Sequence, residues 1–136
     1  METDNQQQEL MYKMQVFEQQ MQQIQQQIQM VEQGIAELSD LNKGLDDLIG
    51  KKGEEILAQI GRGIFVKAKL VSEDLIVDIG GKNFVKRNIP DTKKMIDGQI
   101  KKLEDVYSQL SKSMEELNQE VIGMIGGVEG GEGEGK

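Results

Sequence analysis

The chain has 136 residues, about one domain, and contains no cysteine, histidine or tryptophan. This composition excludes disulfides, thiolate chemistry and histidine-based metal or acid/base sites. Its net charge of −8 is uneven: residues 1–49 and 91–136 are acidic and residues 50–90 mildly basic, so nucleic acid and anionic membranes are not expected partners.

Residues 1–49 are predicted to form an N-terminal coiled-coil helix, with a frayed end at residues 1–5 and regular helix from about residue 6 to residue 49. Its apolar residues recur at alternating steps of four and three, the period that keeps one seam of a helix against a partner helix. The nine seam positions are Leu10, Met14, Phe17, Met21, Ile24, Ile28, Val31, Ile35 and Leu38. After Leu38 the pattern allows two continuations. They are Asn42, Leu45 and Ile49, or Leu41, Leu45 and Leu48.

Residues 50–90 replace the helical period with short alternating runs separated by glycines. Strands are predicted at 54–60, 64–70, 75–79 and 84–87, with turns at 61–63, 72–74 and 80–83. This spacing predicts two β-hairpins.

A second helix is predicted over residues 91–125, because Pro90 and Asp91 favour a first helical turn and Gly126-Gly127 a helix end. Residues 126–136 are expected to form a flexible acidic tail. The second helix has its own nine-position seam: Ile96, Ile100, Leu103, Tyr107, Leu110, Met114, Leu117, Val121 and Met124. The two seams predict an α+β fold, a long antiparallel two-helix coiled coil with two β-hairpins at the end where the helices connect.

The two seams also predict an interaction surface at the end of the coiled coil opposite the hairpins. Placing Ile49 opposite Thr92 puts Ile125 opposite Val16, so earlier residues of the first helix overhang their partner. Unpartnered apolar residues mark binding surfaces, and methionine suits adaptable ones. This predicted surface comprises Leu10, Met11, Met14, Phe17, Val121, Ile122, Met124 and Ile125.

No set of residues predicts catalysis. The glycine pairs lie between predicted strands rather than before a helix, so they indicate turns and not phosphate loops. Adjacent carboxylates such as Glu115-Glu116 do not face each other on a helix. We therefore expect no enzymatic activity, no cofactor and no metal site.

The middle of the chain resembles a known family. Residues 54–70 (EEILAQIGRGIFVKAKL), 75–81 (LIVDIGG) and 84–87 (FVKR) are similar to the β region of an archaeal-type prefoldin α subunit. The flanking helices extend the resemblance to about residues 8–125, and the two predicted hairpins fit the α class better than the one-hairpin β class. Ala58-Gln59 departs from the Val-Pro that the family often has.

The resemblance implies an ATP-independent chaperone that holds unfolded client polypeptides at coiled-coil tips and delivers them to a group II chaperonin. It also implies prefoldin β subunits as partners, two α and four β chains joining their hairpins into one body. On this basis we expect the eight-residue surface above to bind clients. We expect the oligomer body to be formed by Ile56, Ile60, Ile64, Val66, Leu75, Val77 and Ile79.

Two alternatives remain at this stage. The chain could be a structural coiled-coil adaptor that binds one folded partner, or a nucleic-acid-binding head on a coiled-coil stalk. A cytoplasmic location is expected, because the N-terminal residues are polar and no apolar run approaches the roughly 20 residues that span a bilayer.

Overall fold

The computed structural model of the chain describes the backbone of residues 2–134 and the side chains of residues 4–126. Its elements in chain order are helix α1 (Glu2–Leu48), strands β1 (Glu55–Gly61), β2 (Ile64–Lys69), β3 (Leu75–Asp78) and β4 (Phe84–Arg87), and helix α2 (Ile89–Glu134). β1 pairs with β2 and β3 with β4, both antiparallel. The predicted α+β fold of two long helices and two β-hairpins is confirmed, but α1 already includes residues 2–5, which were predicted to be frayed.

The chain divides into two compact units. One contains residues 1–34 and 103–136, and the other contains residues 35–102. In the first unit α1 and α2 run side by side, with Gly34 so close to Leu103 that an added Cβ would lie 3.3 Å from its Cδ1 atom. The nine seam positions predicted for α1 are all at least partly buried, and so are those of α2 except Tyr107. The heptad prediction is therefore confirmed.

In the second unit, residues 35–102, a small apolar core joins the two helices to the second hairpin. Its buried members are Leu45, Ile89 and Ile96, and the partly buried residues packed against them are Leu38, Leu48, Leu75 and Ile100. Since Leu75 begins β3, this core anchors that strand directly to the helices.

The seam after Leu38 follows neither predicted continuation in full. Asn42, Leu45 and Leu48 face inward, whereas Leu41 is 50% and Ile49 is 54% exposed. The predicted pairing of the helices is also wrong by two residues, because Asn42 lies opposite Asp97 rather than Gln99. The prediction assumed that both helices leave the hairpins at Ile49 and Thr92, but α2 begins three residues before Thr92.

The ends of the helices explain this difference. Asn88 caps α2: its side-chain Oδ1 accepts a hydrogen bond from the backbone N–H of Asp91 at 2.8 Å, which satisfies a free donor of the first turn. The helix thus begins at Ile89, one residue before Pro90. At the end of α1, Gly50 takes the left-handed conformation (φ 78°) that favours glycine after a helix.

The far end of α2 extends beyond Ile125, where the sequence predicts its end, to Glu134. Glycine destabilises a helix by about 1 kcal/mol relative to alanine but, unlike proline, does not block its hydrogen bonds. The first turns of α1 are therefore not left beyond the end of the α2 backbone. Flexibility of residues 126–136 stays a prediction, and residues 135 and 136 lie outside the described residues.

Candidate interaction surfaces

An open, mostly apolar groove of about 530 Å³ lies between α1 and α2 in the unit of residues 1–34 and 103–136. We call it the methionine groove. It is lined by Leu10, Met11, Met14, Gln15, Glu18, Met21, Val121 and Ile125. It contains five of the eight residues predicted for this surface, together with Met21, which the heptad pattern places in the seam. Met11 is 65% exposed, so its flexible thioether is available to a ligand.

The other predicted residues of this surface lie elsewhere around the helix pair. Phe17 and Met124 line a second, smaller groove together with Tyr12 and Val16, which the sequence analysis did not select. Ile122 is exposed and lines neither groove. The predicted surface is thus two grooves and one exposed side chain rather than a single patch.

The methionine groove lies in an acidic environment. Residues 4–34 and 103–126 carry nine carboxylates and only two lysines, and Glu18 itself lines the groove. Negative charge keeps exposed apolar side chains soluble and attracts cationic polypeptide segments. The groove therefore offers apolar contact without a fixed geometry, within a field that favours basic over acidic ligands.

The second candidate surface consists of the outward faces of the two hairpins. In the β1–β2 hairpin, Leu57 lies directly opposite Lys67, and Gln59 lies opposite Phe65. Leu57 and Phe65 are both more than half exposed. A two-stranded hairpin is marginally stable alone, so these residues require cover from another surface.

The β3–β4 hairpin repeats this arrangement 19 residues later. Ile76 lies opposite Lys86 and Asp78 opposite Phe84, and both apolar residues are again mostly exposed. We call each set of one aliphatic residue, one polar residue, one phenylalanine and one lysine a hairpin quartet. The two quartets share identical spacing and identical cross-strand pairing.

The sequence carries a signal for the quartets that the alternation within each single strand does not reveal. Six of the sixteen residues from 54 to 69 are identical to the residue 19 positions later: Glu54, Ile60, Gly61, Phe65, Val66 and Lys67. The turns agree as well, because Gly63 (φ 70°) and its counterpart Lys82 (φ 62°) share a left-handed backbone. The two hairpins are therefore one internal repeat.

The seven residues predicted for the oligomer body occupy the opposite faces and the turns. Ile56 and Val66 share one face of the first hairpin, and Val77 lies on the corresponding face of the second. Leu75 packs into the small core, whereas the residues next to the turns, Ile60, Ile64 and Ile79, are more than half exposed. Both faces of each hairpin thus carry apolar side chains, the pattern of strands that are buried on both sides.

These surfaces suit binding. Among the described residues, no three histidine, cysteine, aspartate or glutamate side chains lie where they could hold a metal ion. Over its described residues, neither helix contains an apolar stretch long enough to cross a bilayer. What the arrangement provides is apolar contact area, in an acidic setting on the helices and beside lysines on the hairpins.

Comparison with known proteins gives consistent matches. A family model described as prefoldin subunit matches residues 17–123. The prefoldin subunit alpha of Methanobrevibacter smithii is 35% identical over 126 residues, which cover 92% of this chain and 86% of that protein. A cryo-EM structure of filamentous PFD from Methanocaldococcus jannaschii has a TM-score of 0.71 and 22% identity, covering 82% of this chain and 94% of that chain. The family match extends over both hairpins and most of both helices.

Proposed function

The chain belongs to the prefoldin family and is therefore a chaperone-type subunit, and we propose that it holds unfolded polypeptides in the methionine groove without using ATP. The observation that carries this proposal is the groove itself, where Met11, Met14 and Ile125 line an open apolar surface. Unbranched, polarizable methionine side chains adapt to ligands of many shapes, as a chaperone for unrelated clients requires.

The test replaces Leu10, Met11 and Met14 with serine in the full chain, assembled with its partner subunits. A denatured model protein is diluted into buffer without ATP, and its aggregation is followed by light scattering. We expect the triple variant to suppress aggregation much less than the unchanged complex does, because the groove loses three of its six apolar lining residues. Met30→Ser is the matched control, since Met30 is exposed on the same helix but lies outside the groove.

The outcome separates the proposal from its alternatives. Undiminished suppression by an intact, correctly assembled triple variant would refute binding in the groove. A complex that captures one folded protein at fixed stoichiometry, and protects no unrelated client, would favour the structural adaptor instead. Circular dichroism and solution mass check that helix content and assembly are unchanged by the substitutions.

We further propose that the hairpins join this chain to prefoldin β subunits, in a complex of two α and four β chains. Two-stranded sheets with unpaired edges and apolar side chains on both faces support this, because neither feature is stable when left in water. The presence of the same quartet on both hairpins fits partners that present similar surfaces to each of them.

Assembly is tested by replacing Leu57 and Phe65, or Ile76 and Phe84, with serine. Each pair should lower the fraction of chain in the hexamer, measured as mass in solution with a co-expressed β-type subunit. Val71→Ser is the control, because Val71 is 80% exposed but lies between the hairpins. Full hexamer formation by both double variants would exclude the quartets from the interface.

Delivery to a group II chaperonin in the cytoplasm completes the proposed role. A labelled client bound to the complex should move to an excess of purified chaperonin, as measured by size-exclusion chromatography. Retention of the label by the complex would limit the protein to holding its clients.

A further inference from the structure

The seam of α1 contains one polar residue, Asn42, at a position flanked by the apolar core. Its side-chain Nδ2 donates a hydrogen bond to Asp97 Oδ1 on α2 at 2.7 Å. Its Oδ1 atom is buried and accepts no hydrogen bond from the residues that the structure describes. Burying such a group is unfavourable, so its place in the seam calls for a physical explanation.

The burial of Asn42 is unexpected because an apolar residue, Leu41, lies next to it in the sequence. Leu41 is an apolar candidate for the same seam, yet it lies half exposed while Asn42 is turned inward. Adjacent residues point about 100° apart on a helix, so a substantial local rotation of α1 would exchange the two, burying the leucine and returning the asparagine to water. Apolar burial alone therefore favours the seam that the structure does not adopt.

The two seams differ in where the four-three alternation breaks. In the observed seam the two consecutive steps of three lie at Asn42, Leu45 and Leu48, in the last turns of α1. With Leu41 in the seam they would lie at Ile35, Leu38 and Leu41, further inside the helix. An extra three-residue step overwinds a coiled coil, and in the observed seam this overwinding lies next to the small core of Leu45, Ile89 and Ile96.

Two cross-helix bonds, one helical turn apart, hold the observed rotation. Beside the Asn42–Asp97 hydrogen bond, Lys93 forms a salt bridge and hydrogen bond with Asp46. Asn42 and Asp46 are four residues apart on α1, as are Lys93 and Asp97 on α2, so each pair lies along one face of its helix. Asp46 is exposed and lies outside the seam, so the hydrogen bond to Asp97 is the one of the two that directly holds the seam residue Asn42.

We propose that the Asn42–Asp97 hydrogen bond selects between two competing seams of α1, keeping Asn42 inside and Leu41 outside. Without an acceptor at position 97, the donor of Asn42 loses its partner while Leu41 still gains from burial. The segment then turns so that residue 41 enters the seam. The pair is a conformational device that sets which face of α1 is presented to solvent beside the hairpins.

The chain contains no cysteine, so one introduced cysteine reports the rotation directly. Leu41→Cys is labelled with a maleimide in the full chain, with and without Asp97→Ala. Cysteine is itself a small apolar residue that favours burial, so position 41 keeps a tendency to enter the seam. We expect Asp97→Ala to slow labelling by about tenfold, a ratio that corresponds to about 1.4 kcal/mol between the two seams. Asp97 is exposed on a helix and alanine is the best helix former, so this variant retains its helix.

Three further variants make the result specific. Asp97→Asn keeps a carbonyl acceptor and should leave the labelling rate of the Leu41→Cys thiol unchanged. Asn42→Leu combined with Asp97→Ala should restore fast labelling, because a leucine at this position occupies the observed seam without a hydrogen bond. A Met30→Cys thiol, at an exposed position of the same helix, should react at the same rate in every background. Unchanged or faster labelling of the Leu41→Cys thiol in the Asp97→Ala background would overturn the proposal.

Discussion

Truncating Leu45 to alanine should destabilise the chain far more than the same change at Leu41. Leu45 is 7% exposed and packs against Ile89 and Ile96, which are 3% and 2% exposed. Truncation of a buried leucine costs about 2–5 kcal/mol, and a core of only three buried residues collapses readily, so we expect about 2.5 kcal/mol. Leu41 is 50% exposed, and its truncation should cost less than about 1 kcal/mol.

The comparison is well matched, because both changes remove the same atoms from the same helix and alter its propensity equally. Urea unfolding followed by circular dichroism gives both free energies by linear extrapolation. A loss of about 2.5 kcal/mol should also lower Tm by roughly 8 °C in a domain of this size. Equal losses at the two positions, or a larger loss at Leu41, would refute the observed seam and the core built on it.

Two further predictions concern helix stability, measured by the same unfolding assay. Gly44→Ala should stabilise the chain by about 0.5–1 kcal/mol, since an added Cβ meets no atom within 4 Å, whereas Gly34→Ala should gain less because its Cβ would crowd Leu103. A larger gain at Gly34 would contradict the close helix approach there. Asn88→Ala should cost about 1 kcal/mol by removing the cap of α2, and Asn88→Ser should recover most of it. Asn118→Ala, in the exposed interior of the same helix, is the control, and an equal loss there would argue against capping.

Periodicity was sufficient to predict the elements and most of the seam. Steps of four and three are a local property of the chain, and so is strand alternation between glycine turns, so both helices and both hairpins were predictable. It was harder to predict whether Leu41 or Asn42 enters the seam, because this depends on a hydrogen-bond acceptor 55 residues away in the sequence. No period in the sequence of α1 reports that partner.

Predicting which residues of the two helices lie opposite each other required the helix cap of α2 as well as the apolar seams. Taking Pro90 and Asp91 as the start of α2 left out Asn88, the residue that fixes the first turn, and the predicted pairing moved by two residues. The helix was likewise predicted to end at Gly126 and Gly127, although these glycines weaken a helix without interrupting it. Both differences arise from single residues at helix ends, where local sequence signals are least decisive.

The two candidate surfaces were predicted unevenly. The predicted overhang of α1 pointed to the part of the helices where the methionine groove lies, although the described α2 backbone runs past Ile125 to Glu134. The outward residues Leu57 and Phe65 were missed, since alternation assigns one face of a strand to the core and treats the other as polar. Comparing the hairpins with each other, rather than each with a generic strand, would have found them.

The 19-residue repeat also bears on how such a chain can change during evolution. Loss or gain of 19 residues within 54–88 would remove or add one whole hairpin while leaving its turn, its cross-strand partners and both flanking helices in phase. The hairpin is then an exchangeable module, and one-hairpin and two-hairpin subunits stand a single duplication or deletion apart. Each copy would bring its own quartet, so the number of docking surfaces would change in whole steps.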